Sequence, residues 1–200
     1  MLEKILIYGS TLLTQEACIL LQAQGYNLVG YVPSRAPTVM GKIPLEKITK
    51  TIPEHDIKLS LGYDMRIRDY ENAFNVHPGL LPEFGGCDIL YHTIRTNSFN
   101  QGLTFHKMVH SFDAGPIIAK TSYPVFPDDK IIDLYYRVMS IYPSFVLYAL
   151  RLLEQIGLDR INLCKSYTPT LYRRGDILEE DRLLYEETFR MLKELEKAND

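Results

Sequence analysis

The fold of this chain is decided near its N-terminus by the stretch KILIYGSTLLTQEACILLQAQGYNLVGYV, residues 4–32. Residues 4–9 form a short apolar run closed by a glycine, which is typical of a buried strand. Thr14 is a candidate N-cap for a helix whose apolar residues recur at helical spacing as far as Gly25. The run at 27–32 is a second buried strand, stopped by a proline. A strand, a helix and a strand form a βαβ unit, which implies a parallel sheet with a right-handed crossover.

The rest of the chain continues the alternation of strands and helices. Further strands are predicted at 57–63, 73–77, 102–110 and 116–125, the last near prolines that exclude it from the centre of a sheet. Helices are predicted at 45–52, 88–96, 128–142, 144–156 and 177–198, with Pro143 kinking or splitting the long pair. We therefore expect an α/β, Rossmann-like fold with a mainly parallel central sheet flanked by helices. Residues 1–156 form the main domain in this interpretation, and residues 157–200 form a short C-terminal extension that contains a helix.

Composition excludes several classes of function. The 200 residues are 46% hydrophobic and 24% charged, which suits one ordinary domain with a short appendage. The net charge of -3 gives no basic surface for nucleic acid. No apolar run reaches about 18 residues, so we expect no membrane partner, and the first run is interpreted as a strand and not as a signal peptide. The three cysteines are far apart, which favours a reducing, cytoplasmic location.

The candidate chemistry begins in FNVHPGLLPEFGG, residues 74–86. Asn75 and His77 are two positions apart on a predicted strand, so their side chains point to the same side. Pro78 keeps His77 extended, because a residue that precedes proline avoids the helical region. Ligands of open α/β sheets bind beyond the carboxyl ends of the strands. The stretch therefore predicts an amide donor and a titratable imidazole held rigidly at the mouth of a cleft.

A second motif, FDAGPII at 112–118, places Asp113 in a glycine-containing turn before a strand. The intervening residues form one predicted helix and one strand, so this turn returns to the same end of the sheet. We expect Asp113 to hydrogen-bond His77, to fix its tautomer and to raise its pKa.

Together these motifs resemble the formyltransferase family that uses N10-formyltetrahydrofolate. The similar features are DIKLSLGYDMRI at 56–67, Asn-x-His-Pro-x-Leu-Leu-Pro from Asn75, Thr-x-His at Thr104 and His106, and Asp-x-Gly-x-Ile from Asp113. The resemblance covers roughly residues 1–155. It implies a formyltransferase fold, N10-formyltetrahydrofolate as the formyl donor, and a small-molecule amine as the acceptor.

The resemblance also implies roles for individual residues. Asn75 would donate a hydrogen bond to the tetrahedral oxyanion, and His77 would donate to that oxyanion or take the proton of the amine through water. Asp113 would orient His77, and no metal is needed. The H-x-x-x-H spacing of His106 and His110 lies on a predicted strand without a following glutamate, so we expect no metal site there.

The same resemblance gives two sets of binding residues. The pterin is expected between the 60–67 segment and the 109–114 loop, in contact with Leu61, Tyr63, Val109, Ser111, Phe112 and Asp113. The acceptor is expected against Gly9, Ser10, Leu80, Leu81, Pro82 and Gly86. Tyr167 and Tyr172 are candidates for stacking on a nucleotide base.

Three classes of amine acceptor compete. A tRNA substrate calls for a positive surface and an additional domain, and residues 157–200 are too few and too acidic for it. Glycinamide ribonucleotide enzymes have a Gly-x-Gly-Ser-Asn phosphate cradle where this chain has YGSTLLT. The chain also has Gly79 where the family commonly has serine, and it lacks the arginine that often precedes the glycine of the Leu-Leu-Pro loop. Both departures lie in the loop that borders the acceptor.

The third class is the sugar nucleotides, and we expect the acceptor to be a nucleotide-linked 4-amino-4,6-dideoxy sugar.

Two alternative functions remain open at this point. One is phosphoribosylglycinamide formyltransferase, and the other is a formyltetrahydrofolate hydrolase in which water replaces the amine. The charged segment 179–198 is interpreted as a solvated helix, with a homodimer contact as the alternative.

Overall fold

Short apolar runs form the centre of the main sheet, because both faces of these strands are covered. Every residue of β1 (Ile5–Tyr8) and of β3 (Ile57–Leu61) is buried, as is typical of parallel strands that are covered on both faces. The computed structural model describes residues 4–35, 39–173 and 176–198. Its other strands are β2 (Leu28–Val32), β4 (Ala73–His77), β5 (Gly85–Gly86), β6 (Asn100–Lys107), β7 (Ile117–Pro124) and β8 (Leu171–Tyr172).

The main sheet has six strands in the order β2-β1-β3-β4-β6-β7. The first four strands in this order are mutually parallel, and β6 is antiparallel to both of its neighbours. The expectation of a mainly parallel α/β sheet is therefore confirmed. Strand β7 lies at the edge, as its flanking prolines predict, and β4 lies near the middle.

The helices are α1 (Leu12–Ala23), α2 (Ile89–Arg95), α3 (Ile131–Ile156), α4 (Leu158–Asn162) and α5 (Arg182–Ala198). Helix α1 begins at an N-cap three residues earlier than predicted. The Thr11 hydroxyl accepts from the Thr14 N–H, and the Thr14 hydroxyl accepts from the Thr11 N–H. This reciprocal capping box satisfies two backbone donors at once, so Thr11 is the N-cap, and the assignment of Thr14 as the N-cap was wrong.

Two predicted features of the helices were wrong. Residues 45–52 are not helical; they run beside β2, where the Tyr31 N–H donates to the Glu46 carbonyl and the Ile48 N–H donates to the Tyr31 carbonyl. This pairing satisfies the backbone groups of an edge strand. Pro143 lies inside the continuous helix α3, so the predicted split was wrong, because the buried apolar stripe of the helix offsets the one backbone hydrogen bond that the proline removes.

The C-terminal extension contributes β8 to a second, two-stranded sheet that is separate from the main one. Strand β8 pairs in parallel with β5, in the loop that follows β4. The Tyr167 N–H donates to the carbonyl of Ala114, in the turn between β6 and β7. In its described part, the extension carries α4, β8 and α5. The division at residue 156 stays a prediction. In the described ranges, no helix combines the length and the apolar character that a membrane span requires.

Candidate active site

The last residues of β4 form the centre of the candidate site. His77 is buried, and its Nε2–H donates to the Phe84 carbonyl at 2.7 Å. The carbonyl therefore selects the tautomer of the neutral ring, and Nδ1 carries the lone pair. Nδ1 lies 3.7 Å from Asp113 Oδ2, which is too long for a direct hydrogen bond. The expected direct bond between Asp113 and His77 is therefore not made, although the two side chains face each other.

Asp113 is held in the β6–β7 turn with φ of +49°, a left-handed conformation that is uncommon for a residue other than glycine. Its Oδ2 accepts from the Gly86 N–H at 2.8 Å. Burial raises the pKa of this carboxyl, but attraction to His77 and His106 and the Gly86 N–H together outweigh burial. The net pKa lies well below the usual range, so the site holds a carboxylate.

The imidazole of His77 behaves in the opposite way. Burial lowers its pKa and outweighs the Asp113 carboxylate and the Phe84 carbonyl, which raise it, while His106 lowers it further. The expected net rise in pKa was wrong because desolvation of the charged ring is the larger effect. His77 is therefore neutral near pH 7, with a free lone pair beside a carboxylate.

His106, for which the sequence predicted no catalytic role, is a further residue of the candidate site. It lies opposite Asn75 in the β4–β6 register and is buried. Its Nδ1–H donates to the Lys107 carbonyl at 3.0 Å, so its Nε2 accepts from the Asn75 amide at 3.2 Å. The same Nε2 lies 3.5 Å from Asp113 Oδ1. His106 thus fixes which way the Asn75 amide points; the Thr-x-His pattern was the signal for it.

Four of the six predicted cofactor residues line one small cavity. Val109, Ser111, Phe112 and Asp113 enclose it together with Met65, Arg66, Ile67, Tyr70, His106 and Met108. Its volume is about 40 Å³, and the Arg66 guanidinium lies over the Phe112 ring at 5.0 Å, beside the cavity. The two predicted segments therefore do meet beside the candidate catalytic groups.

Leu61 and Tyr63 are not part of this cavity. The Leu61 carbonyl accepts from the Thr14 hydroxyl at 2.6 Å. The Tyr63 ring packs edge-on against Tyr8, with 5.1 Å between the ring centroids. Both residues instead hold the end of β3 against its neighbours.

Gly9 and Ser10 do not form an open anion cradle. The Gly9 N–H donates to the Val32 carbonyl, and the buried Ser10 hydroxyl accepts from the Ser34 N–H. A side chain at Gly9 would meet the Leu61 carbonyl at 2.1 Å, so this glycine permits close packing of two strands. Its role here is structural.

The remaining predicted acceptor residues shape the loop after β4. Gly86 donates to Asp113, as described above. The Leu80 N–H donates to the Gln101 side chain and the Leu81 N–H to the Thr104 hydroxyl. The carbonyl of Pro82 accepts a hydrogen bond from the N–H of Thr170, just before β8. Of this set, Gly86 alone bonds to one of the three predicted catalytic side chains.

The two tyrosines proposed for base stacking are differently placed. The Tyr172 ring is stacked between Phe84 at 5.8 Å and His92 at 4.2 Å, so its faces are already covered and the stacking prediction for it was wrong. Tyr167 borders a groove beside Phe112, and its hydroxyl is buried without a partner in the part of the chain that the structure describes.

Residues 65–150 match the family model described as formyl transferase. The methionyl-tRNA formyltransferase of Natranaerobius thermophilus is 25% identical over 126 residues, which are 62% of this chain and 40% of the relative. The chain thus matches less than half the length of that curated relative. The matched segment contains all three predicted catalytic residues, and the resemblance to the N10-formyltetrahydrofolate-dependent formyltransferase family is confirmed.

Solved structures share the fold. An N-formyltransferase from Helicobacter canadensis, in complex with folinic acid and dTDP-3-aminofucose, has a TM-score of 0.70 and 17% identity over 88% of this chain and 72% of its own. The phosphoribosylglycinamide formyltransferase of Bacillus halodurans has a TM-score of 0.63 and 22% identity over 78% of this chain and 97% of its own. The expected formyltransferase fold is therefore confirmed.

Proposed function

We propose that this protein transfers a formyl group from N10-formyltetrahydrofolate to a primary amine. The observation that carries the proposal is the meeting of Asn75, His77 and Asp113 at the end of β4, around a neutral imidazole and a carboxylate. These groups supply a hydrogen-bond donor, a base and a stabilising charge, which acyl transfer to an amine requires.

Asn75 is the oxyanion donor in this proposal. When the amine nitrogen bonds to the formyl carbon, the carbonyl oxygen becomes an oxyanion. One N–H of Asn75 is held by His106, and its second N–H is directed elsewhere by the planar amide. Removal of such a donor typically costs about 3–4 kcal/mol, roughly 100- to 1,000-fold in rate.

His77 moves the proton in this proposal. Its Nε2–H is engaged by the Phe84 carbonyl, so Nδ1 takes the proton from the attacking nitrogen. The Asp113 carboxylate, 3.7 Å away, stabilises the imidazolium that results. The bond from the formyl carbon to N10 then breaks, N10 receives the proton, and tetrahydrofolate leaves the formylated amine.

The donor is placed in the cavity beside Asp113, where four of the predicted cofactor residues meet. Support comes from the Helicobacter canadensis structure, which holds folinic acid on the same fold. The cavity is smaller than a pterin, so the Phe112 and Arg66 side chains must move apart when folate binds.

The acceptor is proposed to be a nucleotide-linked amino-dideoxy sugar. The Gly9 N–H already donates to the Val32 carbonyl and Ser10 is buried, which disfavours a phosphate cradle of the kind expected for glycinamide ribonucleotide. The Helicobacter canadensis relative holds such a sugar nucleotide. The 4-amino position, cytoplasmic location and homodimer contact stay predictions.

Release of tetrahydrofolate tests the proposal. The purified protein is mixed with N10-formyltetrahydrofolate and, separately, with dTDP-linked 3-amino and 4-amino dideoxy sugars, glycinamide ribonucleotide, or no acceptor. We expect release only with an amino sugar. Release with glycinamide ribonucleotide would indicate a phosphoribosylglycinamide formyltransferase, and release without any acceptor would indicate a formyltetrahydrofolate hydrolase.

A further inference from the structure

The ring proton of His77 has two competing acceptors. The Nε2–H donates to the Phe84 carbonyl at 2.7 Å, and the Asp113 carboxylate lies 3.7 Å from the other ring nitrogen, Nδ1. A neutral imidazole carries one N–H, and the acceptor that binds it selects the tautomer. Because a carboxylate is the stronger acceptor, the Phe84 carbonyl keeps the proton on Nε2 only while it stays at its present position.

The position of this carbonyl is fixed from the opposite end of its own peptide unit. The Phe84 carbonyl and the Gly85 N–H belong to one planar trans peptide, so they point in opposite directions. The Gly85 N–H donates to the Thr170 carbonyl at 2.9 Å. One peptide unit thus links the C-terminal extension to the His77 ring, and it cannot rotate without losing a hydrogen bond at each end.

Residues 167–172, here called the strap, also bond through their backbone to both loops that form the site. Three further hydrogen bonds run from the Thr170 N–H to the Pro82 carbonyl at 2.8 Å, from the Cys87 N–H to the Tyr172 carbonyl at 2.9 Å, and from the Tyr167 N–H to the Ala114 carbonyl at 2.9 Å. Since Ala114 directly follows Asp113, the strap holds the turn that carries this carboxylate as well as the loop after β4.

The paired glycines of β5 leave room for the strap. A Cβ on Gly86 would meet the Tyr172 carbonyl at 2.0 Å, and a Cβ on Gly85 would meet the Thr170 carbonyl at 3.1 Å. Gly86 has φ of +94°, which favours glycine, and its N–H donates to Asp113 Oδ2. The same two residues therefore accommodate the strap and bind the carboxylate.

Tyr172 anchors the strap through its aromatic ring. The ring lies between those of Phe84 and His92, with centroid distances of 5.8 Å and 4.2 Å. Phe84 is thus held twice by the strap, through its ring and through the N–H of its peptide unit. Loss of the Tyr172 ring loosens the residue whose carbonyl selects the tautomer of His77.

We infer that the strap is a positioning element of the candidate active site: it holds the Phe84 carbonyl in place and so keeps the Nδ1 lone pair of His77 free. The inference rests on the proposed function, in which Nδ1 takes the proton of the attacking amine. When the strap is loosened, the Phe84 carbonyl moves away, and the ring proton moves to Nδ1, where it donates to Asp113. The ring then has no lone pair on the nitrogen that serves as the base.

The tautomer is measured by long-range proton–nitrogen NMR on protein that carries nitrogen-15-labelled histidine, at a pH where the ring is neutral. The chain has five histidines, and His77→Gln identifies the signals of His77. We expect the Nε2–H form in the wild type and the Nδ1–H form in Tyr172→Ala, together with a fall in kcat of roughly tenfold or more. The conservative variant Tyr172→Phe keeps the ring and is expected to restore the wild-type tautomer and most of kcat.

A matched control separates positioning from loss of stability. Tyr26 is half-buried, and its hydroxyl donates to Glu154. It lies two positions before β2, at the amino ends of the parallel strands and away from the candidate site. Tyr26→Ala is therefore expected to lower the Tm while kcat and the tautomer of His77 remain those of the wild type.

Thr170→Pro is a second test, which decides the question if the Tm shows that Tyr172→Ala has not folded. It removes the N–H that donates to the Pro82 carbonyl, at an exposed position, and is expected to change the tautomer of His77 in the same direction. The Nε2–H form and a kcat within about twofold of the wild type in the folded variants would overturn the inference and leave the proposed function standing. A wild-type protein that transfers no formyl group would overturn the proposed function, and with it the catalytic role of the strap, even where the tautomer changes.

Discussion

Replacement of His106 by leucine removes the acceptor that orients Asn75 while it keeps a buried side chain in β6. In the structure, Asn75 Nδ2 lies 3.2 Å from His106 Nε2, and the Nδ1–H of His106 is held by the Lys107 carbonyl. The leucine leaves a half-buried amide N–H of Asn75 without its protein partner, which lowers the stability of the fold by at most about 1–3 kcal/mol. It also frees the amide to turn away from the oxyanion, whose donor is worth about 3–4 kcal/mol when it is lost entirely.

Only the loss of the oxyanion donor acts on the rate, and its full value is an upper limit because the amide itself remains. We expect His106→Leu to lower kcat about 100-fold, or roughly 2.7 kcal/mol of barrier. His106→Gln keeps an acceptor near the position of Nε2 and should recover much of the loss. The assay is the initial rate of tetrahydrofolate release at saturating amine.

A pH profile separates positioning from mere structural support. His106 lowers the pKa of His77, so its removal raises that pKa and moves the acid limb of kcat/KM to higher pH. The argument is refuted if His106→Leu and His106→Gln both retain kcat within about threefold of the wild type, or if the acid limb stays in place.

Three further predictions concern other parts of the site. Asp113→Asn should lower kcat roughly 100-fold or more and shift the acid limb to lower pH, since Asp113 raises the pKa of His77; an upward shift in the pH–rate profile would contradict this. Burial lowers the pKa of His92 below that in the unfolded chain, so the free energy of unfolding decreases as pH falls from about 7 toward 5. Urea titrations over this pH range should show a smaller decrease in His92→Gln than in the wild type, and an equal decrease in both proteins would refute the prediction. Tyr172→Ala removes the ring contacts with Phe84 and His92 and should lower the free energy of unfolding by roughly 1–3 kcal/mol, visible as a lower Tm. An unchanged Tm would show that these ring contacts do not anchor the C-terminal extension.

The predicted pair on β4 followed from local rules. A two-residue spacing places Asn75 and His77 on one side of a strand, and Pro78 fixes the end of that strand. The same reasoning does not reveal cross-strand register, which is why the contact between His106 and Asn75 was not predicted. Its position opposite Asn75 depends on how β6 aligns with β4, and that alignment is set by the whole sheet.

Errors elsewhere have similar physical causes. Residues 45–52 carry a helical pattern, yet the unpaired edge of β2 offers backbone partners that a short helix cannot match. Gly9 and Ser10 resemble a ligand loop in sequence, but their polar groups are engaged by neighbouring segments. Tyr172 was predicted to stack on a ligand, but the fold places the rings of Phe84 and His92 against it, and these contacts cannot be read from the sequence.

The most direct test of the account follows the formyl group itself. N10-formyltetrahydrofolate with a labelled formyl carbon is incubated with dTDP-3-aminofucose and either the wild-type protein or the Asn75→Ala/His77→Ala variant. The account predicts that label appears on the amine of the sugar with the wild type and falls at least about 1,000-fold with the variant, while folinic acid still binds both. Label that stays on folate, appears only as formate, or reaches the sugar equally well with the variant would contradict it.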